Sequence, residues 1–303
     1  MAPQVTVIIP AYRRRNYLFY ALDRILAQKD VTMEILVFSE VMEPDEVDDV
    51  EKFYPQVKYF KTDAYKGASN KRRAGIKMAQ GKYLYMPDDD DYLTDDSFLS
   101  NCVKQLDQYS DIAFVTGLTD VSYEYADTCN DYIEHRALPF RGRINGIEYL
   151  QGIQVTMSKP MSTVSTLFRK EIFEKCKVDE MYEISDVCLY LNALLCGDAY
   201  VLNKTVAVYR FHEKNLTFLL PYWFMFNVLR EKERVYIDAC KLLPHPQEFW
   251  YNHYRITYLF YKDGKATFKG KLKMLGWGLT HLHSNSSLFK FVIKEFIKVF
   301  IGR

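Results

Sequence analysis

Residues 81–93, GKYLYMPDDDDYL, decide how the rest of the chain is interpreted. The apolar run from Tyr83 to Met86 predicts a short strand that is buried on both faces. Four consecutive carboxylates, Asp88 to Asp91, follow that strand. Adjacent like charges repel most strongly beside a low-dielectric core, and a bound Mg²⁺ or Mn²⁺ ion, which prefers carboxylate oxygens, removes that penalty. The alternative is a solvated acidic turn that leads into the next helix.

The sequence before this stretch alternates predicted strands and helices. The predicted strands are Val5–Pro10, Glu34–Phe38 and Val57–Phe60, and the helices between them lie near residues 18–26 and Asp45–Phe53. This alternation predicts right-handed crossovers and an α/β fold with an open, mostly parallel sheet flanked by helices. Ligands of such sheets bind at the carboxyl ends of strands, which is where Tyr12, Glu40 and Asp88–Asp91 fall.

A basic helix is predicted over Gly67–Gln80. Of its cationic side chains, we expect Arg72 to turn toward the strand ends and meet a phosphate, and most of the others to form a solvated face. The sequence contains neither a Gly-rich dinucleotide fingerprint nor a Walker loop. Phosphates must therefore be handled by a metal ion and cationic side chains.

The segments that follow are assigned in the same way. A helix is predicted over Asp186–Cys196 and a strand over Val206–Arg210. Asp120–Gln154 shows little periodicity and is interpreted as a loop-rich acceptor side, with a strand within Met157–Arg169 returning beneath it.

Composition excludes several classes of function. The net charge of +1 gives no global field for nucleic acid. The six cysteines form no Cys-x-x-Cys pair, so they are interpreted as reduced thiols of a cytoplasmic protein and not as a zinc site or a disulfide framework.

Several motifs follow one another in a recognisable order. They are VIIPAY at residues 7–12, Gly67-Ala68-Ser69 with Arg72, GKYLY at 81–85, Asp88–Asp90, Ser185-Asp186 and YRFH at 209–212. In this order, over about residues 4–215, the chain resembles the glycosyltransferases of family 2, which have the nucleotide-sugar-binding GT-A fold. The resemblance implies a GT-A domain over residues 1–215 and leaves 216–303 as a helical, aromatic and basic C-terminal region.

The resemblance also implies a role for each matching residue. The nucleotide-diphosphate sugar would be bound by Pro10, Ala11 and Tyr12 at the base, by Asp88 at the ribose, and by Asp89 and Arg72. Asp90 would coordinate Mn²⁺ or Mg²⁺, His212 would approach the metal or diphosphate from the far side, and Asp186 would be the general base. Without the resemblance, Asp186 is also a good helix N-cap and His212 an ordinary surface histidine.

The chain departs from the family pattern in four places. Glu40 stands where an Asp usually holds the base, Arg73 replaces an Asn, and Ser185 replaces a Glu. The Gln-x-x-Arg-Trp motif of processive synthases is absent, so repeated chain extension is not expected.

The C-terminal region ends in a stretch that is both apolar and basic. Lys290, Lys294 and Lys298 form one stripe at i, i+4 spacing among Phe, Ile and Val residues. This pattern suits an in-plane helix on an anionic membrane, and it equally suits a helix packed on the domain or on a second subunit.

These observations predict an inverting, non-processive glycosyltransferase that moves a sugar from a UDP-linked donor to a glycan or lipid-linked glycan. Its expected setting is bacterial surface-polysaccharide assembly, at the inner face of the cytoplasmic membrane or in the cytoplasm. One alternative is a nucleotidyltransferase that makes the donor, although residues 12–15, YRRR, lack the Gly of its usual loop. The other is a catalytically silent binding or scaffold protein with the same sheet.

Overall fold

A computed structural model describes residues 2–12, 14–40, 49–61, 66–124, 132–136, 138–212, 215, 221–264 and 266–301. The strands are β1 Val5–Pro10, β2 Met33–Ser39, β3 Val57–Lys61, β4 Tyr83–Tyr85, β5 Tyr92–Leu93, β6 Ile112–Tyr123, β7 Tyr132–Arg136, β8 Gly142–Ile144, β9 Thr166–Arg169 and β10 Asp198–Phe211. The helices are α1 Arg15–Leu26, α2 Asp49–Phe53, α3 Ala68–Met78, α4 Phe98–Gln108, α5 Gly146–Gly152, α6 Glu171–Lys175, α7 Asp186–Cys196, α8 Tyr222–Ala239, α9 Pro246–Asp263, α10 Phe268–Thr280 and α11 Ser286–Ile301.

These strands form one mixed sheet in the order β3-β2-β1-β4-β9-β6-β10-β5, with β7 paired to β6 and β8 to β10. Strands β3, β2, β1 and β4 are parallel, and Val5 of β1 lies between Met33 of β2 and Tyr83 of β4. The carboxyl ends of β1 and β4 therefore meet at one edge, where the segment after Pro10 faces Asp88–Asp91. The predicted α/β fold, with a central sheet flanked by helices, is confirmed. The sheet is less parallel than predicted, because β5, β7, β8 and β9 pair antiparallel with their neighbours.

Apolar residues cover both faces of the sheet. Val7 and Ile9 of β1 belong to one buried cluster, whereas Ile8 belongs to the cluster on the opposite face. Successive side chains of a strand point to opposite faces, so a strand covered on both sides is apolar at nearly every position. This explains the continuous hydrophobic run from which β1 is predicted. The exception in β1 is Thr6, whose buried hydroxyl donates to Glu34 Oε1 at 2.7 Å.

The C-terminal helices share a core with the sheet. Trp250 of α9 and Leu288 of α11 lie in the same buried cluster as Ile8 and Leu84. Within the described residues, every helix is too short or too polar to cross a bilayer. The division of the chain at residue 215 stays a prediction.

Several predicted elements agree closely with the structure. Strand β1 and helix α7 have the predicted bounds, and β2, β3 and α3 differ from prediction by only one or two residues at their ends. Strand β4 is buried throughout, as the opening stretch predicts. Of the predicted acidic helix, only Asp49–Phe53 lies within the described residues and is helical; residues 45–48 lie outside them.

Other predictions were wrong. Much of Asp120–Gln154 is regular: β6 continues to Tyr123, and β7, β8 and α5 follow. Strand β10 begins at Asp198, eight residues before Val206, whereas the predicted strand within Met157–Arg169 is confirmed as Thr166–Arg169. Pairing between strands distant in sequence explains the wrong predictions. Strand β10 pairs with β6, β8 and β5, and local periodicity carries no information about such pairing.

Candidate active site

The segments after β1 and β4 are joined by contacts to Asp89. The backbone N–H of Tyr12 donates to Asp89 Oδ2 at 2.7 Å. The Arg14 guanidinium lies 3.4 Å from Asp89 Oδ1 and also pairs with Asp90 Oδ2. Both carboxylates are buried, so their negative charges are poorly solvated and the arginine compensates them.

Asp90 also meets the residue that follows β10. His212 Nε2 lies 3.1 Å from Asp90 Oδ2, and the imidazole is 7% exposed. The Tyr17 ring stacks on His212 with 5.3 Å between ring centroids. The sheet topology thus brings an imidazole nitrogen and a carboxylate oxygen, which are distant in sequence, to one point.

Asp91 has a different environment from the three preceding aspartates. It is fully buried and accepts hydrogen bonds from Ser162 Oγ at 2.7 Å and from the Arg210 N–H at 3.0 Å. Burial, reinforced by the charges of Asp90 and Asp88, raises its pKa well above the usual range. Asp91 therefore joins the loop to β10 and does not face the candidate site.

Arg72 connects the end of β4 to the start of α7. Its Nη2 lies 2.7 Å from Asp88 Oδ1 and 3.8 Å from Asp186 Oδ1, and its Nη1 donates to the Ile184 carbonyl at 2.8 Å. The Arg72 side chain is 4% exposed, whereas that of Asp186 is 26% exposed. A buried cation thus stands beside a carboxylate that a substrate can reach, and Arg72 faces the strand ends as the sequence predicts.

The nucleotide-base residues lie along the other border of the site. Pro10 and Ala11 are buried, whereas the Tyr12 side chain is half-exposed. Glu40 Oε1 accepts from the Gly67 N–H at 3.1 Å and lies 3.2 Å from Lys71 Nζ. The roles of these residues in binding a nucleotide stay predictions.

Lys71 corrects one prediction, because it is not on a solvated face. It is 2% exposed, and its Nζ donates to the Ala11 carbonyl at 2.9 Å while pairing with Glu40. The ammonium group holds together the ends of β1, β2 and α3. Helical spacing alone does not reveal this, since the burial of Lys71 depends on its neighbours in the fold.

The electrostatics of the acidic loop favour a bound cation. Burial, together with the charge of Asp90, raises the pKa of Asp89 to about 7, against the opposing effects of Arg14 and the Tyr12 N–H. A raised pKa means that the negative form of the Asp89 carboxyl is unfavourable in this loop. An added positive charge in the loop would therefore be stabilising.

Two protein groups could hold a divalent ion there. In the described part of the chain, no group of three or more His, Cys, Asp or Glu side chains is placed to bind a metal. The Asp90–His212 pair nevertheless fits Mg²⁺ or Mn²⁺ in a nucleotide site, where the ion keeps waters and takes substrate phosphates as its other ligands. Asp90 and His212 would thus supply only part of the ligands of the ion, and a bound diphosphate would supply others.

Sequence reasoning missed two arginines. Arg14 lies in the basic turn after β1, but composition cannot show which arginine of that turn faces the aspartates. Arg210 Nη1 donates to the Asp90 carbonyl at 2.8 Å, and its guanidinium lies over the Tyr92 ring at 4.3 Å. Its position in the YRFH motif was a signal that this residue supports the site.

Glu183 was also missed. It is 4% exposed, pairs with Ser69 Oγ, and its pKa is raised to about 7, chiefly by burial. The same Ser69 Oγ accepts from the Ile184 N–H at 3.0 Å, which joins α3 to the segment before Asp186. These contacts position the two elements that carry Arg72 and Asp186.

Comparison with solved structures shows the fold. S. aureus TarS, residues 1–349, aligns with a TM-score of 0.66 at 14% identity, over 93% of this chain and 81% of that one. The mannosyltransferase PcManGT from Pyrobaculum calidifontis, in complex with GDP-Man and Mn²⁺, aligns with a TM-score of 0.53 at 13% identity, over 99% of this chain and 81% of that one. Both alignments extend over most of the chain, so the chain shares the fold of these structures, which is the GT-A fold expected from the sequence.

Comparison with curated proteins identifies further relatives. An uncharacterized glycosyltransferase of Rickettsia bellii is 25% identical over 72% of this chain and 30% of its own length. The GalNAc(5)-diNAcBac-PP-undecaprenol beta-1,3-glucosyltransferase of Campylobacter jejuni is 23% identical over 71% of this chain and 67% of its own length. The chain spans about a third of the length of the rickettsial relatives, at 30%, 37% and 35%.

A family model decides the assignment. The glycosyl transferase family 2 model matches residues 6–176, which include all of β1 but its first residue, the acidic loop after β4, and β9. This match covers more than half of the chain. The chain therefore belongs to glycosyl transferase family 2.

Proposed function

We propose that the chain is an inverting, non-processive glycosyltransferase that takes a sugar from a nucleotide-diphosphate donor, UDP-linked in the first instance. The observation that carries the proposal is the linkage of three groups at one edge of the sheet. Two members of the acidic loop make the connection: Asp90 pairs with His212, and Asp88 pairs with the buried Arg72 cation. Arg72 in turn lies 3.8 Å from the accessible Asp186 carboxylate.

The first demand of the reaction is a stabilised leaving group. Cleavage of the bond between the sugar and the diphosphate passes through an oxocarbenium-like state, and negative charge grows on the departing phosphate. Arg72 supplies a fixed positive charge there, because its contacts to Asp88 and the Ile184 carbonyl hold it in place. A divalent cation bound by Asp90 and His212 would supply further charge neutralisation at the diphosphate.

The second demand is removal of a proton from the attacking hydroxyl. Asp186 is the candidate base, because it is the first residue of α7 and its carboxylate is partly exposed. Arg72 lies 3.8 Å from its Oδ1 and orients the carboxylate. A single base that assists attack opposite the leaving group inverts the anomeric centre.

The proposed donor and acceptor are taken from the ligands and names of similar proteins. The TarS structures include complexes with UDP and with UDP-GlcNAc, whereas PcManGT holds GDP-Man, so both bases belong in the first test. The Campylobacter relative acts on an undecaprenol-linked glycan. We propose a glycan or lipid-linked glycan as acceptor, in bacterial surface-polysaccharide assembly.

A donor panel tests the proposal. The full chain is incubated with UDP- and GDP-sugars and Mn²⁺, Mg²⁺ or EDTA, and free nucleoside diphosphate is measured by chromatography. Cation-dependent release from one donor supports the proposal, and the anomeric proton coupling of a transfer product tests inversion. Pyrophosphate release from a nucleoside triphosphate with a sugar phosphate would indicate a nucleotidyltransferase instead. Donor binding with no release under any condition would indicate a silent binding protein.

A further inference from the structure

Helix α11 is apolar on two faces, and only one of them is covered. Leu288, Val292 and Glu295 are buried against the domain. On the opposite side, a row of large apolar side chains is exposed. These residues are Phe289, Ile293, Ile297, Phe300 and Ile301, with exposed fractions of 47%, 37%, 53%, 70% and 65%. We call this row, together with the lysines described next, the outer face of α11.

A row of lysines borders the apolar row. Lys290, Lys294 and Lys298 each follow one of its members by one position. Neighbouring residues of a helix point about 100° apart, so the three ammonium groups run along one border of the apolar row for the length of the helix. An aromatic contact continues the row, because the exposed Phe268 ring of α10 lies 6.1 Å from that of Phe300.

The charge of this surface has one sign. Residues 266–301 contain six lysines and a single acidic residue, Glu295. Glu295 is 2% exposed and points inward, where it pairs with Lys262 at 2.9 Å and Lys298 at 2.6 Å. Glu295 thus offsets the charge of Lys298. Lys290 and Lys294 are exposed and give the outer face its positive charge, and within this segment no carboxylate is exposed.

We propose that the outer face of α11 docks on an anionic lipid surface, with the helix lying in the plane of the interface. Exposed Phe and Ile side chains would enter the boundary between headgroups and acyl chains, and the lysine row would contact anionic headgroups. A second copy of the chain fits this surface less well, because two copies paired through it would bring lysine rows together with no acid on either face. The docking is independent of the proposed sugar-transfer chemistry.

Vesicle co-sedimentation tests the proposal on the full chain. Sucrose-loaded vesicles of phosphatidylcholine alone are compared with vesicles that also contain phosphatidylglycerol, at about 0.1 M salt and at higher salt, where surface charge is screened. We expect sedimentation with the anionic vesicles and a loss of it as salt rises. Equal behaviour with both vesicle types, or no sedimentation with either, would overturn the proposal without any variant.

Two variants separate charge from apolar insertion. Lys290→Gln/Lys294→Gln should lower partitioning onto anionic vesicles about 25-fold, because each lysine near such a surface contributes about fivefold. Ile293→Ser/Ile297→Ser should also lower it at about 0.1 M salt, although the charge of the surface is unchanged. A matched control, Lys104→Gln/Lys241→Gln, changes two exposed lysines elsewhere and should sediment like the wild type.

The competing occupant has its own signature. A dimer in light scattering that Ile293→Ser/Ile297→Ser disperses, together with no vesicle binding, would assign the face to a second copy and overturn the proposal. All substituted side chains are at least a third exposed, so unchanged melting temperatures are expected for every variant. Nucleoside diphosphate release in the absence of vesicles should also be unchanged, which distinguishes failure of docking from failure of the proposed function.

Discussion

His212 Nε2 lies 3.1 Å from Asp90 Oδ2, although 122 residues separate the two in sequence. The contact exists because β10 and the loop after β4 end at the same place. Arg210 of β10 joins them: its guanidinium donates to the Asp90 carbonyl, and its backbone N–H donates to the Asp91 carboxylate. The sheet topology thus places a buried carboxylate and a buried imidazole side by side, and this pairing supports the proposed cation and diphosphate site.

Asp186→Asn should abolish sugar transfer while leaving donor binding intact. The amide cannot accept the hydroxyl proton, so we expect the transfer rate to fall about 10²- to 10⁴-fold. Hydrolysis of the donor, measured as nucleoside diphosphate release without acceptor, should persist because Arg72 and Asp90 are untouched. Asp179→Asn is the matched control, since that aspartate is exposed and pairs with Lys77 at 2.6 Å, away from the acidic loop. Transfer at the wild-type rate in Asp186→Asn would remove the base assignment.

Arg14→Ala should strengthen binding of Mn²⁺ in the absence of nucleotide. The Arg14 guanidinium pairs with Asp90 Oδ2, which the cation also needs. A hydrogen bond to a charged group contributes about 1.5–3 kcal/mol, so its removal should raise Mn²⁺ affinity about tenfold or more. Calorimetric or paramagnetic-resonance titration measures this, with Arg24→Ala as control because Arg24 pairs with Asp96, outside the Asp88–Asp91 loop. Unchanged or weaker Mn²⁺ binding in Arg14→Ala would show that the arginine does not compete for the site.

The stability of the metal-free protein should carry a pH signature of Asp89. Its pKa is raised by burial and by Asp90 from 3.8 to about 7, so between these two values the folded state binds more protons than the unfolded state. The Asp89 contribution to the free energy of unfolding must therefore fall as pH rises through this window and stay low above it.

Melting curves of wild type and Asp89→Asn, recorded from about pH 4 to about pH 8, isolate that contribution. The stability of the wild type relative to Asp89→Asn should decrease across this range, and saturating Mn²⁺ should diminish the decrease. A relative stability that rises with pH would contradict the buried, repelled state of this carboxylate.

Gly81→Ala should destabilise the sheet beneath the site. A Cβ at Gly81 would lie 2.5 Å from the backbone nitrogen of Thr6, so β1 and β4 would have to separate. Overpacking of this kind costs about 1–3 kcal/mol. At Gly276, within α10, a Cβ meets nothing within 4 Å, and Gly276→Ala should stabilise by roughly 0.5–1 kcal/mol through helix propensity. Denaturant titration of both variants measures the two changes in the free energy of unfolding, which should have opposite signs. An unchanged free energy of unfolding in Gly81→Ala would mean that β1 and β4 are less tightly joined.

Local patterns predicted those parts of the fold in which burial is regular. Strand β1 is apolar on both faces and α7 is a continuous helix, so their bounds could be derived from periodicity. The meeting of Asp90 with His212 came from the order of family motifs, since no spacing rule links positions so far apart.

The different fates of neighbouring residues could not be predicted. Asp91 is bound by Ser162 and Arg210, whereas Asp90 faces Arg14 and His212, and four identical side chains in a row carry no signal of that difference. Lys71 is buried for the same kind of reason, because its partners come from the ends of two strands.

The most direct measurement is a calorimetric titration of UDP and GDP into wild type and Asp90→Asn, with and without Mn²⁺, and with Asp179→Asn as the control. The account predicts that one nucleotide binds the wild type and the control tightly only when Mn²⁺ is present, and that this dependence on the metal is lost in Asp90→Asn. Equal affinities with and without Mn²⁺, or Mn²⁺-dependent binding that persists in Asp90→Asn, would contradict it.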